Sequence, residues 1–295
     1  MAELIKEFIK MNQFVKPERL RTVLEYDCIV PDTYPDIMSV LAADGACSVD
    51  GEQSENGKII VNFTTHYKIL YLAQGDEPTV KSINTQSSHT VSIDAPGLAE
   101  SASVFARCCL EHIDFTVVNS RKLSLRSVVK VIADANNTVE LGIPVDIHDM
   151  DDAQLKKTSY TLSTVSENVD TTLQLVESTE LGGGKPAIGC ILRSDPSICD
   201  ITVSKTGGEL QIKGNLTVCV LYESDDASRK LEIAESHIPF THTAACSSDD
   251  DTPGLSIRSE IKSFNAEIGE DSDGLPRIID IKADIKFNIT GYSTR

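Results

Sequence analysis

The feature that most constrains this chain is a strict alternation of apolar and polar residues that occurs twice, about half the sequence apart. In the first occurrence Ile59, Val61, Phe63, Tyr67, Ile69 and Tyr71 share one parity, with Asn62, Thr64, His66 and Lys68 on the other. In the second, Leu210, Ile212, Leu216, Val218, Val220 and Tyr222 alternate with Gln211, Lys213, Asn215 and Thr217. Successive side chains of a strand point to opposite faces, so a period of two marks a half-buried strand. A terminal run, Ile279, Ile281, Ala283, Ile285, Phe287 and Ile289, alternates with Asp280, Lys282, Asp284, Lys286 and Asn288, and its first-half counterpart is Leu123, Leu125, Val129 and Val131.

Sliding the sequence against itself by 151 positions aligns Leu4 with Leu155, Met11 with Leu162, Pro35-Asp36-Ile37 with Pro186-Ala187-Ile188, and Ile69-Leu70-Tyr71 with Val220-Leu221-Tyr222. Farther on, Pro96-Gly97-Leu98 matches Pro253-Gly254-Leu255, which puts a loop insertion at Ser247-Ser248-Asp249-Asp250-Asp251 of the second copy. Runs at 104–115 and 255–268 supply hairpin partners through Asn119-Ser120 and the acidic loop 269–274. Helical spacing is sparse, and only 3–10, 16–24 and 36–41 admit short helices, with Pro17 suited to a first helical turn. The expected fold is all-β: two tandem antiparallel β-sandwiches, jelly-roll-like, with few short helices. The expected domains are 1–150, carrying an N-terminal arm, and 151–295. The linker is expected near 134–153, where Asn136-Asn137 and the run from His148 to Asp152 break the periodicity.

Composition narrows the function. With 27 Lys+Arg against 45 Asp+Glu the formal charge is −18, which closes the non-specific electrostatic route to nucleic acid. No apolar run approaches the ~18 residues of a membrane helix, and the charge-interrupted N-terminus is unlike a signal peptide, so cytoplasmic synthesis is expected. Eight cysteines are too few for a disulfide scaffold, and none lies in a CxxC or zinc-type spacing. Cys108, Cys109 and Cys219 sit in strand-like runs and read as small hydrophobes; the adjacent pair must point to opposite faces, so at most one of the two is in the core.

The local motifs carry no chemistry. Gly182-Gly183-Gly184-Lys185 lacks the earlier glycine and following Ser/Thr of a phosphate loop and reads as a strand-to-turn passage. Asp271, Asp273, Gly274 and Asp280 have partial calcium-loop spacing, but Gly269 replaces the first ligand, so a solvated hairpin tip is expected. The acidic runs 149–152 and 249–251 read as solvated loops. The six histidines form no HExxH pair or nucleophile elbow. No catalytic, cofactor-binding or metal-ligating residues are assigned and no cofactor is expected.

The stretch Ile29-Val30-Pro31-Asp32-Thr33-Tyr34-Pro35-Asp36-Ile37, followed by Ile69-Leu70-Tyr71, Pro96-Gly97-Leu98 and Asn119-Ser120-Arg121-Lys122-Leu123-Ser124-Leu125-Arg126, resembles the SPOCS domain of endospore-forming Firmicutes. In that family the pattern recurs in tandem, and the spore-coat morphogenetic proteins SipL and SpoVID carry related domains. The second copy keeps Lys185-Pro186, Val220-Leu221-Tyr222, Ile238-Pro239-Phe240-Thr241 and Pro253-Gly254-Leu255, but Ala187 replaces Asp36 and 269–276 replaces the Asn-Ser-Arg-Lys turn. The morphogenetic relatives often end in a LysM module; none is recognisable up to Arg295, so anchoring through LysM is not expected.

The resemblance implies a non-enzymatic assembly protein, made in the mother-cell cytoplasm and ending in the spore coat or at the spore surface. Its implied partners are itself, other coat proteins, or both, without nucleic acid or a membrane span. Two modes are compatible with that role: a soluble adaptor whose sandwich faces or edges bind one partner, or polymerisation into a filament in which the N-terminal arm, through Leu4, Phe8 and Met11, donates a strand to a neighbouring molecule. Cys28, before the Val-Pro-Asp turn, and Cys246, beside the acidic loop, are the expected accessible thiols for an intermolecular cross-link. The competing class is a ligand- or carbohydrate-binding sandwich, which the absence of Trp disfavours.

Overall fold

A computed structural model describes residues 3–16, 19–148, 156, 158, 160–161, 163–246 and 254–294. Among them every regular element is a strand: β1 (Glu3–Val15), β2 (Leu20–Ile29), β3 (Ile37–Glu55), β4 (Lys58–Ala73), β5 (Val80–Asp94), β6 (Ser103–Asn119), β7 (Lys122–His148), β8 (Ser163–Glu180), β9 (Ile188–Thr206), β10 (Glu209–Ser224), β11 (Leu231–Ala245), β12 (Gly254–Gly269) and β13 (Ile278–Thr294). The three stretches expected to admit helices are corrected. Residues 3–10 lie in β1, Leu20–Leu24 in β2 and Ile37–Leu41 in β3, because each pairs with a long neighbour whose ladder overrides weak local propensity. Pro17, Leu155, Leu162 and the acidic runs 149–152 and 249–251 lie outside the described residues.

All pairings are antiparallel, and each half builds two sheets. In the first, β4 lies between β3 and β5, facing a sheet in which β7 is central, with β6 on one edge and β2 then β1 along the other. In the second, β10 lies between β9 and β11, and β13 between β12 and β8. The alternating faces are buried as their patterns require: Ile59, Val61, Phe63, Tyr67, Ile69 and Tyr71 of β4 pack with Leu123, Leu125, Val129 and Val131 of β7, and their counterparts on β10 and β13 are equally closed. The result is a tandem pair of β-sandwiches.

The repeat holds at 151 for longer than the sequence indicated. Ile37 and Ile188 open equivalent strands (188 − 37), and Ser103 and Gly254 do so as well (254 − 103). A β-bulge falls at Leu110/His112 and again at Ile261/Ser263. No insertion therefore separates β11 from β12. The extra residues sit in the next hairpin, where Asn119 and Lys122 are joined by a two-residue turn but Gly269 and Ile278 by a longer loop. The match of Pro96-Gly97-Leu98 to Pro253-Gly254-Leu255 is thus coincidental. The expected linker is also displaced, since 134–148 continue β7 without interruption; Asn137 accepts from the Ala99 amide at 2.9 Å and donates to the Gly97 carbonyl at 2.7 Å, fastening a loop to the strand.

The two cores are filled differently. In the first sandwich Thr65 and Ser127 are fully buried, and the Tyr67 hydroxyl lies 3.0 Å from Ser127 Oγ, a polar layer that divides the apolar side chains into two clusters. The second has Leu216 and Ala283 at those positions and a single cluster. Phe63 packs against His89 in the first, with ring centroids 5.5 Å apart; their equivalents are Gly214 and Phe240, so the aromatic ring comes from the neighbouring strand instead. A Cβ on Gly214 would stand 2.7 Å from Phe240 Cζ. Gly214→Ala is therefore expected to cost roughly 1–3 kcal/mol by overpacking, read as a lower denaturant midpoint at unchanged slope, with Phe240→Leu restoring part of the loss in the double variant. A single variant as stable as the parent would show that the ring yields freely.

Candidate functional site

The two motifs that carry the resemblance are ninety residues apart in sequence and meet in space around one guanidinium. The connection from β2 to β3 contains Pro31 and Pro35 and forms no ladder, so its carbonyls need donors from elsewhere. Arg121, in the β6–β7 turn, supplies them: Nη2 donates to the carbonyls of Pro31 (3.0 Å) and Val30 (3.2 Å), and Nη1 to Tyr34 O (3.3 Å) and Asp36 Oδ1 (2.6 Å). Ser120 Oγ donates to Asp36 Oδ2 at 2.8 Å, and the main chain is tied by Ile37 N to Ser120 O and Val30 N to Arg121 O. Only a planar fork with five donors can serve so many acceptors, which lysine could not. The Ser120 hydroxyl, then Arg121, hold the Asp36 carboxyl below its ordinary value of 3.8.

The second sandwich rebuilds this clamp from different residues. Arg277 Nη1 donates to Lys185 O at 3.1 Å, Leu181 N donates to Arg277 O and Ile188 N to Pro276 O, and Tyr222 reaches Pro186 O at 3.1 Å as Tyr71 reaches Pro35 O at 3.0 Å. The turn thought lost in the second copy therefore survives in function. Ala187 has replaced Asp36, and Asp271 of the longer hairpin loop supplies the carboxylate instead, 3.9 Å from Arg277 Nε. Asp271 Oδ1 also accepts from the amides of Asp273 and Leu275, so the acidic loop is held by its own hydrogen bonds. Gly183-Gly184 form the turn before β9, with Gly184 at φ +90° where a side chain would be strained.

The sandwiches meet along a polar seam that sequence spacing could not reveal. Arg193 Nη2 lies 2.6 Å from Asp44 Oδ2 and its Nε 2.5 Å from Asp195, while Lys68 pairs with Asp195 at 3.0 Å and with the Ser194 carbonyl. Glu260 Oε1 accepts from the Val49 amide at 2.7 Å. Arg258 pairs with Asp134 at 3.3 Å and sits 4.6 Å from the centroid of Phe105. The seam borders a cleft of about 880 Å³ lined by three basic side chains, Lys68, Arg193 and Lys262, and two carboxylates, Asp195 and Glu260; Ser48 Oγ and His66 Nε2 also line it, 3.1 Å apart.

The expected assembly arm is β1, and it is paired along its length with the distal half of β7, from Glu3↔His148 to Val15↔Ala135. Beyond Asn136 no other strand pairs with β7 among the described residues, so 3–13 and 137–148 form a two-stranded ribbon projecting from the first sandwich. Leu4 (54% exposed), Phe8 (64%), Leu141 (46%) and Ile143 (42%) lie open on it, and Met11 is half-buried. Two strands with apolar faces uncovered are unstable unless something packs on them.

The cysteine expectations are corrected. Cys28 is 1% exposed, because β2 runs to Ile29 and its even positions face Leu123 and the core; burial pushes its thiol pKa up. Cys246 is half-buried, with Sγ donating to Glu167 at 2.5 Å. The exposed thiols are Cys109 and Cys199. Counting parity back from Ile113 would turn Cys109 inward, but the bulge at Leu110/His112 reverses the phase, so Cys108 faces inward, its thiol pushed up to about 12 by burial. Of the histidines with described side chains, His66 bonds Ser48, His242 bonds Thr171 and His112 lies beside Asp114.

The clamp generates a pH prediction. A carboxyl whose folded pKa is depressed contributes stability that is complete above 3.8 and lost as pH falls through the lower folded value. In an NMR titration Asp36 should therefore show a midpoint below 3.8, and Ser120→Ala and Arg121→Ala should each raise it, because each removes a group that favours the carboxylate. An unmoved midpoint in both variants would contradict the clamp.

No curated protein and no solved structure matches the chain. Residues 36–118 match the family model described as SipL, SPOCS domain. That segment begins at the clamp carboxylate Asp36 and runs through β3, β4 and β5 and nearly all of β6, so this part of the first sandwich is similar to a SPOCS domain.

Proposed function

We propose that this protein is a non-enzymatic structural component of the bacterial endospore envelope that works by protein–protein interaction, with itself and with other coat proteins. Its domains are 1–150 and 151–295, the second being a SPOCS-like copy whose clamp has been rebuilt around Arg277. It is made in the mother-cell cytoplasm and takes its place in the coat or at the spore surface. The family match supports a sporulation-related interaction role. The observation that carries the assembly reading is the projecting ribbon, whose apolar side chains Leu4, Phe8, Leu141 and Ile143 are 42–64% exposed.

Strand donation is one route to a filament. If Leu4, Phe8 and Met11 left their own β7 and paired with β7 of the next molecule, every register contact of β1 would be kept, so exchange costs no ladder hydrogen bonds. The test is particle mass by light scattering, with electron microscopy, as a function of concentration. The parent should form particles larger than the 32.1 kDa chain, and the triple variant Leu4→Ser, Phe8→Ser, Met11→Ser should not. Assembly unchanged in the triple variant would remove the arm from the account; a parent dispersed at all concentrations would remove self-assembly.

A further inference from the structure

The ribbon has two faces, and they differ in charge as well as in position. Residues directly opposite in an antiparallel pair share a face. Leu4↔Ile147, Lys6↔Pro144, Phe8↔Gly142 and Lys10↔Glu140 therefore form the outer face. Phe8 lies across Gly142, where a Cβ would come within 3.1 Å of its ring. Ile5↔Asp146, Glu7↔Ile143, Ile9↔Leu141 and Met11↔Val139 form the inner face, which continues from Val15 and Ala135 in the core. The inner face is a prolongation of the sandwich's packing surface with no opposing sheet among the described residues.

We infer that the inner face of this ribbon is covered by the outer face of a second copy's ribbon. This rests on the assembly reading above and names its contact. The argument is charge complementarity. Within this chain of net charge −18, the pairs from Leu4↔Ile147 to Lys10↔Glu140 put Lys6 and Lys10 against one acid, Glu140, on the outer face, whereas those from Ile5↔Asp146 to Met11↔Val139 put Glu7 and Asp146 and no base on the inner face. Laying like on like would set Glu7 and Asp146 against their own copies, or Lys6 and Lys10 against theirs. Laying outer on inner sets lysines over carboxylates and Leu4 and Phe8 over Leu141 and Ile143, at the ~10 Å spacing of stacked sheets. Because the two faces are different, each copy still offers one unused face after binding, and the contact is heterologous and propagates. The same faces exist whether β1 is supplied by its own chain or by a neighbour.

The test uses two full-length variants, each altered only at exposed side chains: Lys6→Glu with Lys10→Glu, and Glu7→Lys with Asp146→Lys. Circular dichroism and thermal unfolding establish that each is folded. Each alone is expected to remain at the mass of one chain, 32.1 kDa, under conditions where the parent assembles, and an equimolar mixture is expected to regain the parent's particle mass. Folded variants that assemble alone as the parent does, or a mixture that stays dispersed, overturn the inference. Lysine reversal without effect beside a disabling carboxylate reversal overturns it in favour of contact between like faces. If the parent itself never assembles, the assembly reading fails and this contact with it; if the parent assembles and the charges prove irrelevant, only the contact fails.

Discussion

The structure depends on one requirement, that the odd-numbered face of β4 stay pressed against the odd-numbered face of β7, as the even-numbered face of β10 is pressed against the odd face of β13. Side chains such as Ile59, Phe63, Ile69, Leu125 and Val131 are wholly removed from water, each contributing on the order of 1.5–3 kcal/mol by transfer. A slip of one residue in either ladder would turn the entire set outward, so register is fixed by burial and not by the turns alone. The remaining elements serve that contact: β3, β5, β6 and β2 flank the central strands, and the Arg121 clamp closes the end where β2 must pass to β3 without a ladder.

The comparison of the two halves shows how one packing problem admits two solutions. Phe63 with His89 and Gly214 with Phe240 place one ring in equivalent space from different strands. Asp36 with Arg121 and Asp271 with Arg277 likewise anchor equivalent carbonyls from different loops. In both, the lost group is replaced by one that arrives from another part of the chain, because a cavity or an orphaned carbonyl would be costly.

These exchanges also explain what could be read from the sequence. Strands that bury one face declare themselves by alternation, so β4, β10, β13 and the first part of β7 were legible, and so was the all-β class. Legibility failed where a local rule was overridden by a partner distant in sequence. Residues 3–10 have helical spacing only because β1 forms a ribbon exposed on both faces, and its pairing with 135–148 is invisible from either segment alone. Which of Cys108 and Cys109 faces the core could not be read because a bulge reverses parity without any sequence mark, and Cys28 was misplaced because the strand continues up to the turn. Arg277 was missed because the hairpin insertion shifts it out of the repeat register. The polar seam from Lys68 and Asp44 to Arg193 and Asp195 joins residues from separate sandwiches and leaves no short-range signal.

The central claim is that the ribbon of β1 and the distal half of β7 is the surface through which copies meet. The most direct measurement is amide hydrogen exchange by mass spectrometry, below and above the concentration at which the protein assembles. The account requires protection in 3–15 and 137–148 to rise with assembly, while peptides spanning the Arg121 turn and the core of β4 exchange as before. Protection that appears on the outer edges of β5 or β11 instead, with the ribbon unchanged, would contradict it.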